Sequence, residues 1–219
     1  MIPLDSFRRL PILMALLIGL ALAAPAVAQT QVGRISEAGR ARILARPAAP
    51  FAGAPAADLT VIEYLDFNCP YCKKAAVTLQ QLMAADPRIR VLYKDWPIFG
   101  GVSDFAARAT LAANYQGRYL AAHNILIDTP TRLATEAQVR QRLAFAGVDL
   151  EQMDKDLTAR SEAIDAILAR NNSEAQALGF TGTPGMVIGD VVVPGALPLD
   201  TLREVAKMSR TLDKTAAHP

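Results

Sequence analysis

The chain has 219 residues, 52% hydrophobic and 20% charged, with 13 Gly, 14 Pro and 2 Cys, which gives enough apolar material for a full core and excludes a disordered, collagen-like or disulfide-dense chain. Its 23 Lys+Arg against 21 Asp+Glu leave a formal net charge of +2, far from the basic excess that neutralises phosphates, so no nucleic acid is expected as a partner. With 2 His in all, one of them His218 beside the C-terminal Pro219, His-based metal sites and Ser-His or Cys-His pairs largely drop out as well.

Residues 1–28 read as a signal peptide. Arg8 and Arg9 precede an apolar run from Leu10 to Ala24, and Ala26-Val27-Ala28 supplies the small-x-small pattern of a cleavage site. The mature chain would begin at Gln29, in the periplasm, where disulfides form and persist. An uncleaved membrane anchor is the alternative reading of the same run. Residues 29–57, rich in Ala, Pro, Gly and Arg, read as a flexible or weakly helical arm, with one marginal helix around Ile35–Leu44 and then a Pro-rich linker.

The folded domain is expected over 58–210. Leu59-Thr60-Val61-Ile62-Glu63-Tyr64-Leu65 has the β-branched and aromatic composition of a buried strand, and Cys69-Pro70-Tyr71-Cys72 follows it. Helical spacing of Val77, Leu79, Leu82 and Met83 carries the chain to Asp86-Pro87, and Ile89–Asp95 alternates as a second strand. From about 98 to 178 the signals are helical, with starts at Ser103-Asp104, Thr135-Glu136 and Asp149 and stops at Gly147 and Gly179, giving four or five short helices. Met186–Ile188 and Val191–Val193 flank Gly189-Asp190 as a hairpin, an amphipathic helix from Pro198 to Arg210 closes the domain, and 211–219 reads as a frayed tail.

The chemistry of the two cysteines follows from their placement. A thiol attacks disulfides as the thiolate, and a free cysteine ionises near pH 8.5, so one sulfur anion must be stabilised. Cys69 at the N-cap of a helix faces unpaired N–H groups, and Pro70 at the first helical position gives up no donor. Cys69 is therefore the predicted nucleophile and Cys72, one turn further in, the resolving thiol. Lowering a thiol pKa by ~3 units takes about 4 kcal/mol, whereas a helix terminus supplies ~0.3–1 and at best ~2. Direct hydrogen bonds to sulfur must provide much of the rest, with a small contribution from Lys73 or Lys74.

Other uses of two thiols compete with this one. Structural zinc needs two further ligands, which a chain without a second cysteine pair lacks. A disulfide closing a two-residue loop would constrain the unfolded chain little. Cu(I), which accepts two thiolates, is the stronger rival and leaves a copper-binding or copper-tolerance protein as the alternative function. No cofactor or resident metal is expected.

Glu63-Tyr64-Leu65-Asp66-Phe67-Asn68-Cys69-Pro70-Tyr71-Cys72, the helical block and Gly182-Thr183-Pro184-Gly185 together resemble the DsbA-like branch of the thioredoxin superfamily, and within it the ScsC-type periplasmic proteins. The likeness covers about Leu59 to Arg210. It implies an α/β thioredoxin-like fold with an all-helical insertion, and a thiol:disulfide oxidoreductase that acts on exported proteins by dithiol/disulfide exchange, as oxidase, reductase or isomerase. It further implies that Pro184 is a cis-proline beside the CxxC, with the Thr183 backbone pairing with an incoming peptide. Glu63 matches an acidic residue placed beneath the active site, where burial would raise its pKa; Tyr71 would shape the site and its redox poise. Asp66 reads instead as a turn-capping or solvated residue. Trp96, Phe99 and Tyr93 read as core, with a substrate-facing rim as the alternative, and His123 reads as a helix-surface or core residue without a redox role. The expected partners are exported proteins bearing thiols or disulfides and a membrane redox partner, with homo-oligomerisation through 29–57 a further possibility.

Overall fold

The computed structural model describes residues 33–44 and 49–216, with side chains to 212. The leader expected over 1–28 lies outside the described residues. In chain order the elements are β1 (Gly33–Arg34), α1 (Glu37–Leu44), β2 (Phe51–Gly53), β3 (Leu59–Leu65), α2 (Pro70–Ala85), β4 (Ile89–Asp95) and α3 (Val102–Asn114). There follow α4 (Tyr119–Ile127), α5 (Glu136–Phe145), α6 (Leu150–Ala159), α7 (Ser161–Ala177), β5 (Gly185–Ile188), β6 (Val191–Pro194) and α8 (Leu199–Ala216). The strands form one mixed sheet in the order β1-β6-β5-β3-β4-β2, with β3 and β4 parallel and the remaining pairs antiparallel.

β3 occupies the middle of the sheet because five of its seven side chains are apolar or aromatic, so both faces can be covered. Period-two alternation sends Val61 and Leu65 into one core and Ile62 and Tyr64 into the other. The first core receives α2, whose buried Cys72, Ala75, Ala76, Leu79 and Leu82 recur at helical spacing, together with the helical insertion. α2 stops at Asp86, whose N–H reaches Leu82 O, and Pro87 cannot continue the helix. Parallel pairing of β3 with β4, from Leu59 opposite Ile89 to Leu65 opposite Asp95, then holds the two ends of this unit together.

The insertion contains five helices, α3 to α7. Thr135 and Asp149 cap α5 and α6 as their sequence positions suggest, accepting from the N–H groups of Gln138 and Gln152. Ser103 does not cap α3. That helix starts at Val102 after Gly101, and the Ser103 hydroxyl turns to Asp66 instead.

Two boundaries differ from the sequence expectation. The segment expected as an arm supplies both edge strands: β1 pairs with β6, where Arg34 is salt-bridged to Asp190, and β2 pairs with β4. Between them α1 buries Ile43 in the second core. These strands are only 2 and 3 residues long, too short to show a periodic signal. At the other end α8 runs to Ala216, beyond the expected stop at Arg210. Arg210 itself ties the helix to Asp58 and Asp86 rather than ending it.

The second core carries a buried ion pair. Lys94, 4% exposed, reaches Glu174 at 3.0 Å, and the same carboxylate oxygen accepts from Tyr64 at 3.1 Å. Breaking such a pair on one side leaves an uncompensated buried charge. Lys94→Met is therefore expected to destabilise the protein by about 3–5 kcal/mol, and Lys94→Met combined with Glu174→Leu by clearly less, as read from urea unfolding midpoints.

Candidate active site

The loop leaving β3 delivers Cys69 in extended conformation, φ −78° and ψ 118°, to the N-cap of α2. Pro70 occupies the first helical position, where its missing N–H costs no hydrogen bond. The Cys69 sulfur accepts the Cys72 N–H at 3.4 Å, and the Cys69 thiol donates to Thr183 O at 3.1 Å. The Thr183–Pro184 peptide is cis, and the turn before β5 lies against the sulfur through Thr183 O. The Thr183 hydroxyl is buried and has no hydrogen-bond partner among the described residues. Both cysteines are free and buried.

The two thiols are driven in opposite directions. Cys69 falls to about 6, chiefly because the Cys72 thiol hydrogen-bonds to its anion; burial opposes this, while the N–H groups of Cys72 and Tyr71 assist. Cys72 is pushed strongly upward, first by burial, then by its bond to Cys69 and by the negative charges of Glu63 and Cys69. Lys73 adds little at the sulfur. Its Nζ crosses to the end of α4, donating to Thr129 O at 2.6 Å.

Below the cysteines lies a buried acidic and aromatic layer. Glu63, 1% exposed, sits across from Met186 and Tyr93 on the neighbouring strands. Desolvation, reinforced by Cys69, pushes it up to about 8. His123 stacks at 4.0 Å from Tyr93, and burial lowers its pKa to about 3, so it stays neutral. Asp95, raised to about 7 by burial against a hydrogen bond from Tyr119, completes the layer. Tyr93 and Trp96 are core residues, 6% and 5% exposed, whereas Phe99 is 45% exposed and does not belong to that core.

Two residues beside the cysteines had a larger part than the sequence suggested. Asp66, read as turn-capping or solvated, does cap its turn but is 1% exposed. It accepts from Asn68 N, Ser103 Oγ, Ile98 N and Phe99 N at 2.7, 2.8, 2.8 and 3.2 Å. Asn68 pairs twice with Leu133, donating to its carbonyl at 3.2 Å and accepting its N–H at 2.8 Å. The available signal was polar residues continuing a fully buried strand, since buried polar groups require partners. The partners themselves lie 32 to 65 positions away. Tyr71 stands on the outside of the first turn, 59% exposed, with Lys74 over its ring at 5.5 Å.

Glu63 links the site to stability. A carboxyl raised from 4.5 to about 8 on folding withdraws stability as pH climbs from its unfolded to its folded value. Glu63→Gln is therefore expected to match the wild type near pH 4 and to exceed it by on the order of 1–3 kcal/mol at pH 8, in chemical denaturation of the reduced protein. Equal stability increments at both pH values would mean that Glu63 is not buried as an acid.

Residues 60–207 match the model of the DSBA-like thioredoxin domain family. Among solved structures, a thioredoxin-like oxidoreductase from Silicibacter pomeroyi is 41% identical, with a TM-score of 0.74 over 78% of this chain and 98% of that one. A periplasmic thioredoxin-like protein from Salmonella enterica serovar Typhimurium is 30% identical, with a TM-score of 0.66 over 81% and 98% of the two chains. The catalytic domain of Proteus mirabilis ScsC is 28% identical, with a TM-score of 0.69 over 78% and 95%. Among curated relatives, a Na(+)/H(+) antiporter NhaA 1 from Mycolicibacterium gilvum is 29% identical over 140 residues, 62% of this chain and 22% of that protein. The chain thus spans about a fifth to a quarter of the length of the curated relatives it matches. With a mixed sheet, a helical insertion and a cysteine pair at the start of α2, the chain belongs to the DSBA-like thioredoxin domain family.

Proposed function

We propose that this chain is a periplasmic disulfide donor that oxidises cysteine pairs in exported proteins through Cys69 and Cys72. The observation that carries this reading is the unequal treatment of the two sulfurs: Cys69 at the N-cap of α2, where it accepts the Cys72 N–H and its pKa is lowered, and Cys72 sealed beneath it as a thiol. A stabilised thiolate favours the reduced state of the pair, and a pair that prefers to be reduced gives its disulfide away. The apolar leader and its Ala26-Val27-Ala28 site support export, as does likeness to a periplasmic relative.

The exchange balances as follows. A substrate thiolate attacks Cys69 Sγ in the Cys69–Cys72 disulfide; the S–S bond breaks and Cys72 leaves with the electron pair. Glu63, which holds a proton near neutral pH and interacts with Cys72, is placed to protonate it. The second substrate thiolate then attacks the substrate sulfur of the mixed disulfide, forming the substrate disulfide and releasing Cys69 as its stabilised thiolate. The substrate loses two electrons and two protons in total. A partner disulfide, carried by a membrane oxidant, restores the Cys69–Cys72 bond. β1 and α1, packed on their own sheet, support a monomeric donor rather than an assembly built through 29–57.

Oxidised protein mixed with a reduced two-cysteine substrate should form the substrate disulfide, and Cys69→Ser should lower that rate by at least about 100-fold. Cys72→Ser should instead accumulate a mixed disulfide through Cys69, visible by non-reducing electrophoresis. Wild-type turnover by the Cys69 variant would falsify the assignment, as would oxidised wild-type protein that never passes its disulfide on.

A further inference from the structure

Two loops are fastened to the three residues that lead into Cys69. Asp66 holds Ile98 N and Phe99 N, and Asn68 holds both backbone groups of Leu133. Neither side chain reaches into solvent, at 1% and 8% exposed, so these bonds are shielded from competition with water. What the loops carry is the reverse: Ile98 and Phe99 are 40% and 45% exposed, and exposed Arg132 lies over the Phe99 ring at 5.8 Å. Exposed Tyr71, two residues past Cys69, is topped by Lys74 at 5.5 Å. These two exposed aromatics, one two residues past Cys69 and one on the loop tied to Asp66, each carry a cation.

The chemistry of this rim is specific. Among the described residues, neither Arg132 nor Lys74 makes an ion pair with a carboxylate. The exposed carboxylate at the end of α4, Asp128, acts on Lys73, which also feels Arg142. The rim thus presents apolar rings under unneutralised positive charge, and a bound chain covering the rings would bring its own side chains against the cations. A guanidinium on an aromatic face keeps donors free for a carboxylate while its stem and the ring offer apolar contact.

We propose that Arg132 and Lys74, seated on Phe99 and Tyr71, select substrate polypeptides with an acidic and an apolar residue flanking the reacting cysteine, and that Asp66 and Asn68 are positioning residues for this rim. The proposal rests on the oxidoreductase reading above. Selection acts on encounter and on the mixed-disulfide complex, and leaves the chemistry of the sulfur untouched.

The test uses oxidised full-length mature protein and two reduced dicysteine peptides of equal length, one with Glu and Phe flanking the first cysteine and one with Lys and Phe. The wild type is expected to favour the acidic peptide by about 10-fold in kcat/KM at low salt, less at high salt. Arg132→Glu with Lys74→Glu should abolish or invert the preference, a ratio between two peptides on one variant that a change in the Cys69 titration does not move. Asp66→Ala should bring the two peptides to similar KM values, a ratio that a general loss of stability does not move. Equal kcat/KM for both peptides in the wild type, or a preference unaltered by the double charge reversal, would overturn the proposal. Absence of exchange with either peptide would overturn instead the oxidoreductase reading on which it rests.

Discussion

A sulfur anion held at the first turn of a half-buried helix is the interaction on which the other features depend. Water would stabilise such an anion without help, but Cys69 is only 2% exposed, so protein groups must take water's place. They come from the first turn of α2, its N–H groups and the Cys72 thiol. From the other side the turn before β5 places the Thr183 carbonyl where it accepts the proton of the neutral thiol. β5 lies beside β3, which is what lets residues more than a hundred positions apart meet at one atom.

The two faces of the sheet handle buried polarity differently. On the rear face Lys94 and Glu174 neutralise each other, and Trp96 Nε1 donates to Asn172 at 2.9 Å. The front face carries Glu63 and Asp95, neither with a paired cation among the described residues and both raised by burial. A compensated pair fixes structure; an uncompensated acid holds its proton loosely enough to exchange it near neutral pH. The front layer, under the cysteines, is the one that the proposed exchange would use to supply and take up a proton.

Much of this was legible because the signals were local. The β3 run, the CxxC at a helix start, the caps at Thr135 and Asp149 and the Gly189-Asp190 turn all rest on neighbours within a few residues, and the structure bears them out. The family resemblance added the cis bond at Pro184, which no composition or spacing could give. What escaped was set by distant partners. Asp66 looked like a turn-capping or solvated residue, and Asn68 carried no signal of its own, because the groups they bind come from the 98–103 and 133 segments. Phe99 looked like core beside Trp96, yet the loop held by Asp66 turns it outward. β1 and β2 carry too few residues to show alternation, and only pairing with β6 and β4 makes them strands.

The reduction potential of the Cys69–Cys72 pair, measured at pH 7 in glutathione buffers with trapping of free thiols, tests the account most directly. A thiolate stabilised in the reduced state requires an oxidising couple, expected at about −120 to −160 mV, beyond the range of glutaredoxins and towards that of strong disulfide donors. A value at or below about −230 mV would contradict it, because the thiolate at Cys69 would then fail to favour the reduced pair over the disulfide.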